Sequence, residues 1–217
     1  MTAGVPKQFQ PIVGKPMLWH SVRALAVAPI EMVFVVLAKD DKQFAAQDWS
    51  AFKGRIEPLY CGGATRAESV HNGLIAAMAA IDADDWVLVH DAARPCLPRA
   101  DLERLIAECS GDAIGGILAL PVADTVKRIA KDEAGIARIA RSEDRSQLWL
   151  AQTPQMFRVG LLAQALHAAT GEVTDEASAV EQLGLQPRLV LGSRRNIKVT
   201  YLEDLAIAEA ILRDAPQ

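Results

Sequence analysis

The stretch WVLVHDAARP, residues 86–95, decides the fold and points to the chemistry. Its first four residues are apolar without a break, which is typical of a strand buried on both faces of a parallel sheet. Asp91 comes directly after this strand, and ligands of open parallel sheets bind at the carboxyl ends of the strands. Ala92 and Ala93 add little bulk, so a second molecule can approach the backbone there. The stretch predicts a strand that presents one carboxylate at a binding edge.

Further apolar runs and helical patterns alternate on both sides of this stretch. The predicted strands are 32–38, 56–60, 113–120, 188–192 and 196–200, and the predicted helices are 66–81, 99–110, 159–170, 174–184 and 202–214. Such alternation predicts an α/β fold with a Rossmann-like, doubly wound, mostly parallel sheet. Thr174 is the predicted N-cap of its helix, and Gly184 is the predicted stop.

Residues 121–147 interrupt the alternation. They carry short apolar alternations, many charges and a central Gly135, which favour two strands joined by a turn. We therefore predict a β-arm that protrudes from the sheet.

Composition excludes several classes of protein. The 217 residues suit a single domain, taken as residues 1–217, and a formal net charge of -4 gives no basic field for nucleic acid. The three cysteines show no metal-ligand or C-x-x-C spacing, which favours a reduced compartment. No segment is apolar enough to span a membrane, and the start shows no signal-peptide core. We expect a cytoplasmic protein that binds neither membrane nor nucleic acid.

Asp91 and Arg94 are the first candidates for chemistry. A single carboxylate suits Mg²⁺, which takes one or two acids together with phosphate oxygens of a substrate. Arg94 would then offer a fork of N–H donors to an anion. The alternative is structural, with Asp91 capping the next turn and pairing with Arg94.

A second candidate is the glycine turn at residues 61–70, which follows a strand and opens a helix. Gly62 and Gly63 permit a tight turn with free N–H groups, and the helix N-terminus favours negative charge. Arg66 and Ser69 lie on the first turns of the helix. An ordinary strand-to-helix turn is the competing interpretation.

Isolated polar residues complete the set. Lys198 lies inside an apolar run, so it is either at a sheet edge or aimed at an anion, whereas Lys7 reads as a surface lysine. Thr153 precedes a proline and is therefore extended. Thr125 and Arg145 are polar arm residues with no obvious local partner.

Together these stretches resemble the 2-C-methyl-D-erythritol 4-phosphate cytidylyltransferases of the non-mevalonate isoprenoid pathway. The resemblance rests on the ordered set PKQ, VLVHDAARP, DRSQLW, TPQ, TDEASAVE and NIKVT, which covers nearly the whole chain. It implies a nucleotidyltransferase-type fold and transfer of a cytidylyl group from CTP to 2-C-methyl-D-erythritol 4-phosphate, with Mg²⁺ as cofactor. It also implies a homodimer in which the arm reaches across to the neighbouring subunit.

The resemblance further implies a role for each candidate residue. Asp91 resembles the Mg²⁺ ligand, Ala92 lines the nucleotide, and Lys7 resembles the lysine that stabilises charge on the triphosphate. The cytosine-recognising turn corresponds to Gly62, Gly63 and Ser69, with Arg66 as a supporting basic residue. The residues near the methylerythritol phosphate correspond to Arg94, Thr153, Thr174 and Lys198. Thr125 and Arg145 would serve the partner's site. His90 is expected to be a packing residue beside the site.

The chain departs from the family at its start, where a first strand and a glycine-rich phosphate-binding loop would precede Lys7. Either Met1 is an internal methionine of a longer protein, or the chain is short and binds CTP poorly. Two alternative functions stay open at this stage. One is a different sugar-phosphate nucleotidyltransferase, and the other is a truncated, non-catalytic nucleotide-binding dimer.

Overall fold

A computed structural model describes residues 5–131 and 135–214, in which strands and helices alternate along most of the chain. The strands are β1 (Pro11–Ile12), β2 (Lys15–Pro16), β3 (Val33–Val36), β4 (Ile56–Leu59), β5 (Trp86–Val89), β6 (Gly115–Pro121), β7 (Lys127–Lys131), β8 (Ala137–Ser142), β9 (Trp149–Arg158) and β10 (Arg188–Leu191). The helices are α1 (Met17–Leu25), α2 (Arg66–Ala77), α3 (Arg99–Cys109), α4 (Val159–Ala168), α5 (Glu176–Gln182) and α6 (Asp204–Asp214). The predicted α/β class is confirmed. Among the described helices, none is both long and apolar enough to cross a membrane.

The main sheet has four strands in the order β10-β6-β9-β5. β10 runs parallel to β6, whereas β9 runs antiparallel to both of its neighbours. β9 takes this direction because the chain leaves β6, passes through the arm and returns beside β6, as in a hairpin. β3 and β4 form a separate parallel pair. Within the described ranges no strand pairs with the second edge of β3 or of β5.

Helices cover both faces of this sheet. On one face Ile117 and Phe157 pack with residues of α4 and α5, including Leu162. On the other face Leu118 and Met156 pack with residues of α3. Consecutive strand residues thus point into different cores, as the two-residue period of a strand requires. The continuous apolar runs seen in the sequence are explained by this burial on both sides.

Two local predictions are wrong. Residues 196–200 form no strand, because their backbone contacts go to single residues of the loop after β5, such as Val199 N–H to Ala93 O (2.8 Å). The N-cap of α5 is Asp175 and not Thr174. The Asp175 carboxylate accepts the Ser178 N–H in a capping box. Gly184 ends this helix as predicted, with φ +79°.

The predicted arm is a hairpin of β7 and β8, in which Lys127 lies opposite Ser142 and Lys131 opposite Ala137. Gly135, on the turn side of β8, adopts φ +78°, a conformation that side chains disfavour. The predicted turn also includes 132–134, which lie outside the described residues. The side chains of both strands are exposed, so the arm stands away from the two cores.

Gly116 is a test of the close approach between β6 and β10. A Cβ at this position would lie 2.5 Å from Arg188 O and 2.9 Å from Cys109 Sγ. We expect Gly116→Ala to lower the free energy of unfolding by about 1–3 kcal/mol, measured by urea denaturation, because backbone has to shift. Gly111→Ala, where an added Cβ meets nothing within 4 Å, is the matched control and is expected to be nearly neutral. Equal stability of the two variants would contradict the close approach.

Candidate active site

The antiparallel register of β9 places its first half beside the carboxyl end of β5. Val89 lies opposite Gln155, so the residues before Gln155 run past the end of β5. Thr153 is thereby brought to Asp91, whose N–H donates to Thr153 Oγ1 at 3.0 Å. Two residues that are 62 positions apart in the chain thus meet where the sequence predicted a binding edge.

The Asp91 carboxylate is the electrostatic centre of the site. Arg66 Nε donates to Oδ1 at 3.0 Å, and Lys198 Nζ lies 2.9 Å from Oδ2. Burial raises the pKa of Asp91, but the charges and hydrogen bonds of Arg66 and Lys198 outweigh it and lower the pKa to about 2. Asp91 is therefore ionised at neutral pH, although its side chain is only 11% exposed.

Arg94 pairs only weakly with Asp91, whereas the structural alternative considered from the sequence had these two residues as an ion pair. Its Nε lies 3.9 Å from Asp91 Oδ2, while its Nη1 and Nη2 donate to the carbonyls of Asn196 (2.7 Å) and Ala151 (3.4 Å). Within the described residues Arg94 Nε has no hydrogen-bond partner. Arg94 thus braces the loop with two nitrogens and keeps the third toward the site.

Arg66 is held from behind by a buried acid. Its Nη1 and Nη2 donate to the two carboxylate oxygens of Glu176, at 2.6 and 3.0 Å. Burial disfavours the charged form of Arg66, but the hydrogen bonds and charge of Glu176 raise its pKa above the ordinary value. Burial also raises the pKa of Glu176, and Arg66 opposes that shift. Arg66 therefore links two carboxylates from distant parts of the chain.

His90 lies beneath the site as a neutral hydrogen-bonding residue. Its Nε2 is 3.0 Å from Arg94 O, and its Nδ1 is 3.1 Å from Thr153 Oγ1. A carbonyl only accepts, so Nε2 carries the proton and Nδ1 accepts from the threonine hydroxyl. Burial lowers the pKa of His90 to about 4. The expectation that His90 is a packing residue agrees with this geometry.

Asn196 anchors the segment that carries Lys198. Its side chain is fully buried, and its Nδ2 donates to Thr153 O at 2.8 Å. The Asn196 side chain therefore fixes this segment to β9, a role for which the sequence predicted the backbone hydrogen bonds of a strand. The anion toward which Lys198 points is Asp91.

The glycine turn differs from its prediction in one respect. Its N–H groups are not free: those of Gly62, Gly63 and Ala64 donate to Leu37 O, Ser69 Oγ and Glu68 Oε2. The need for glycine is confirmed at Gly62, where a Cβ would lie 2.9 Å from Leu37 O. The turn is therefore pre-shaped by its own helix.

A cavity of about 250 Å³ opens over Asp91. Its lining includes six of the predicted residues, namely Arg66, Asp91, Arg94, Thr153, Thr174 and Lys198. The other seven do not line it, namely Lys7, Gly62, Gly63, Ser69, Ala92, Thr125 and Arg145.

These seven residues lie in different parts of the chain. Gly62, Gly63 and Ser69 belong to the turn between β4 and α2 and to the start of α2. Ala92 follows Asp91, and its O accepts the Ser21 hydroxyl at 2.9 Å. Lys7 lies close enough to Asp204 for their charges to interact. The pKa of Asp204 is lowered by hydrogen bonds from the N–H groups of Tyr201 and Thr200, and also by the charge of Lys7. The two arm residues are exposed.

A model of the family "2-C-methyl-D-erythritol 4-phosphate cytidylyltransferase" matches residues 1–214. The chain belongs to this family. A relative of that name from Dechloromonas aromatica is 55% identical over 210 residues, which are 96% of this chain and 90% of the relative. Another from Laribacter hongkongensis is also 55% identical, over 98% of this chain and 90% of the relative.

Solved structures give the same result. The crystal structure of a 4-diphosphocytidyl-2C-methyl-D-erythritol synthase is 42% identical with a TM-score of 0.85, and the match covers 95% of each chain. The cytidylyltransferase of Francisella tularensis is 33% identical with a TM-score of 0.78, over 95% of this chain and 93% of the other. The nucleotidyltransferase-type fold inferred from the sequence is confirmed.

Four cavity residues of this cytidylyltransferase-family chain were missed by the sequence reasoning, namely Ala151, Gln152, Gln155 and Asp175. The Arg66 partner Glu176, behind the cavity wall, was missed as well. Gln155 is buried and joins β9 to α5 by donating to Asp175 Oδ2 (2.9 Å) and accepting from Ala177 N–H (2.8 Å). The motifs TPQ and TDEA were visible, but in each of them only the threonine, Thr153 or Thr174, was expected to matter.

His90 makes stability depend on pH in a defined window. Its folded pKa is about 4 and its ordinary value is 6.5, so the unfolded chain binds more protons between these values. The contribution is fully present above pH 6.5 and is lost as pH falls toward 4, by on the order of 2 kcal/mol. We expect His90→Gln to flatten this slope in urea unfolding measured from pH 7 to 4.5. His20, whose pKa burial also lowers, leaves a residual slope.

The control for this measurement is His167→Gln, at an exposed position on α4. It should keep the slope of the wild type. The role of His90 would be refuted by a His90→Gln variant that loses stability with falling pH as steeply as the control.

Proposed function

We propose that this chain transfers a cytidylyl group from CTP to 2-C-methyl-D-erythritol 4-phosphate, as the names of its family and relatives describe. The products are 4-diphosphocytidyl-2-C-methyl-D-erythritol and pyrophosphate, in isoprenoid biosynthesis. The observation that carries the proposal is the cavity over Asp91, in which the ionised Asp91 carboxylate lies among Arg66, Arg94 and Lys198. Asp175, the other acid of the lining, accepts a hydrogen bond from Gln155. Three cations around Asp91 suit a reaction between two anions.

The reaction needs little proton transfer. A phosphate monoester has its second pKa near ~6, so it is mostly a dianion at neutral pH. One of its oxygens attacks the α-phosphorus of CTP, the bond to the bridging oxygen breaks, and pyrophosphate leaves with that electron pair. The side chains that gather the anions are Arg66, Arg94 and Lys198. His90 is not a base in this scheme, because both its nitrogens are engaged in hydrogen bonds and burial lowers its pKa, which makes it a weak proton acceptor.

The donor set of the cavity fits magnesium. In the described part of the chain no three His, Cys, Asp or Glu side chains are grouped as a complete protein metal site. Mg²⁺ is usually bound through one or two carboxylates, with water and substrate phosphates completing its shell. Asp91 is the residue that would hold it, and the ion would neutralise charge on the phosphates. Lys198, with a half-exposed side chain, can turn from Asp91 to a phosphate.

Asp91→Asn tests the metal role. The amide keeps the size of the side chain but loses the charge, so we expect magnesium-dependent release of pyrophosphate from CTP and 2-C-methyl-D-erythritol 4-phosphate to fall by about 100-fold or more.

The assay also compares UTP and GTP with CTP. Preference for UTP or GTP would favour a different sugar-phosphate nucleotidyltransferase, and CTP binding without turnover a non-catalytic protein.

The matched control is Asp84→Asn, an exposed acid at the other end of β5. It should retain full turnover. Normal turnover in Asp91→Asn would show that the metal is held elsewhere.

We also propose a homodimer through the β-arm. Apolar side chains of the arm and its base are exposed in the single chain, including Ile129 (62%), Ile139 (68%) and Trp149 (40%). Exposed apolar groups clustered on one projection are typical of a protein interface. Thr125 and Arg145 lie on this arm, outside the cavity of their own chain, which supports a role in the partner's site.

A mixed dimer tests the crossing of Arg145. One protomer carries Asp91→Asn and the other carries Arg145→Ala, and the two are purified together through different tags. If Arg145 serves the partner, the protomer with intact Asp91 receives an intact arginine, and we expect about half of the wild-type turnover. The Arg145→Ala homodimer should be inactive, whereas Lys131→Ala, at an exposed arm position, should be fully active. A mixed dimer as inactive as both homodimeric variants would place Arg145 in its own subunit's site.

A further inference from the structure

Glu176 is a charged residue that has no role in the reaction described above, yet it is fully buried behind the wall of the cavity. It begins α5, and its carboxylate meets the guanidinium of Arg66 in a two-pronged contact of 2.6 and 3.0 Å. A buried charge is costly unless it is paired and hydrogen-bonded. The geometry satisfies that condition with the guanidinium of Arg66, 110 residues away in the chain.

The backbone that carries Glu176 is itself fixed. The preceding residue, Asp175, forms a capping box with Ser178. Gln155 of β9 clamps both sides of Glu176, because it donates to Asp175 and accepts from the N–H of Ala177. The acid therefore has a defined position relative to the sheet, and this position is transmitted to Arg66.

Arg66 has two acidic partners, of which only Asp91 would also bind the metal. Its Nε and Nη2 both lie 3.0 Å from Oδ1 of Asp91, the residue that would hold the metal, whereas both terminal nitrogens are bound to the carboxylate of Glu176. If a substrate-bound cation were held by Asp91, Arg66 would give up its contacts to that carboxylate. Its bonds to Glu176 would not need to change, so the guanidinium would stay at the cavity with its Nε–H released.

We infer that Glu176 is a positioning residue that holds Arg66 in place while Asp91 exchanges Arg66 for the metal. The inference rests on the proposed function and deepens it. It says that Glu176, a residue behind the cavity, controls how readily Asp91 becomes available to the metal. Without Glu176, Arg66 has Asp91 as its remaining acidic partner and competes with the cation for it. The magnesium requirement of the reaction would then rise.

Glu176→Gln tests the inference, because the amide has the same shape without the charge. We expect the magnesium concentration for half-maximal turnover to rise by about 10-fold, within the range seen for residues that orient metal ligands. The N–H protons of the Arg66 guanidinium, followed by nitrogen-15 NMR in the absence of metal and substrate, should exchange faster with water than in the wild type. Glu181→Gln, an exposed acid of the same helix, is the matched control and should change neither quantity.

Two further variants keep the test decisive. Glu176→Asp retains the charge on a shorter side chain and should show exchange between that of the wild type and that of Glu176→Gln, even if the glutamine variant folds poorly. In an Arg66→Met background, Glu176→Met should cost no additional turnover, since its effect acts through Arg66. The inference is refuted if Glu176→Gln matches Glu181→Gln in both magnesium requirement and guanidinium exchange. Failure of the proposed function would look different, because the wild type itself would then release no pyrophosphate. The exchange of the Arg66 guanidinium protons with water would still show whether Glu176 holds Arg66.

Discussion

The antiparallel pairing of β9 with both β5 and β6 is the constraint on which the rest of this structure depends. This one strand supplies Met156 to one core and Phe157 to the other. Its beginning forms the base of the arm, and its middle passes the end of β5. The register that buries Met156 and Phe157 is the same register that brings Thr153 to Asp91, because a shift of one residue would exchange the two faces of the strand.

The site built on this strand is an alternation of charges. Glu176, Arg66, Asp91 and Lys198 follow one another in contact, so each acid lies beside a cation. Such pairing lets two acids remain inside a partly buried site that also has to receive phosphates. The half-exposed Lys198 is the member that can move, while the buried Glu176 is the member that cannot. Preorganised charge of this kind is what transfer between two anions requires.

Local patterns predicted the elements well where one force dominated. The apolar runs became β3, β5 and β6, since a continuous apolar run is typical of a strand that is covered on both faces. β10 also formed as predicted, although only its Val190 is buried. The sequence 196–200 looked similar, but it joins no strand, and its contacts are made by Asn196 and Val199 instead. The cap of α5 could not be decided locally, because Thr174 and Asp175 are adjacent and both suit the position.

The sequence by itself determined the α/β class, the arm, the acid at the end of β5 and, through its ordered motifs, the family. Each of these depends on residues that are close together in the chain or on the presence of motifs in a given order. Only the tertiary structure decided which cations surround Asp91, that Glu176 holds Arg66, and that the N–H groups of the glycine turn are already engaged. Those contacts join residues up to 110 positions apart, and their partners are chosen by strand order and register, which no local periodicity encodes.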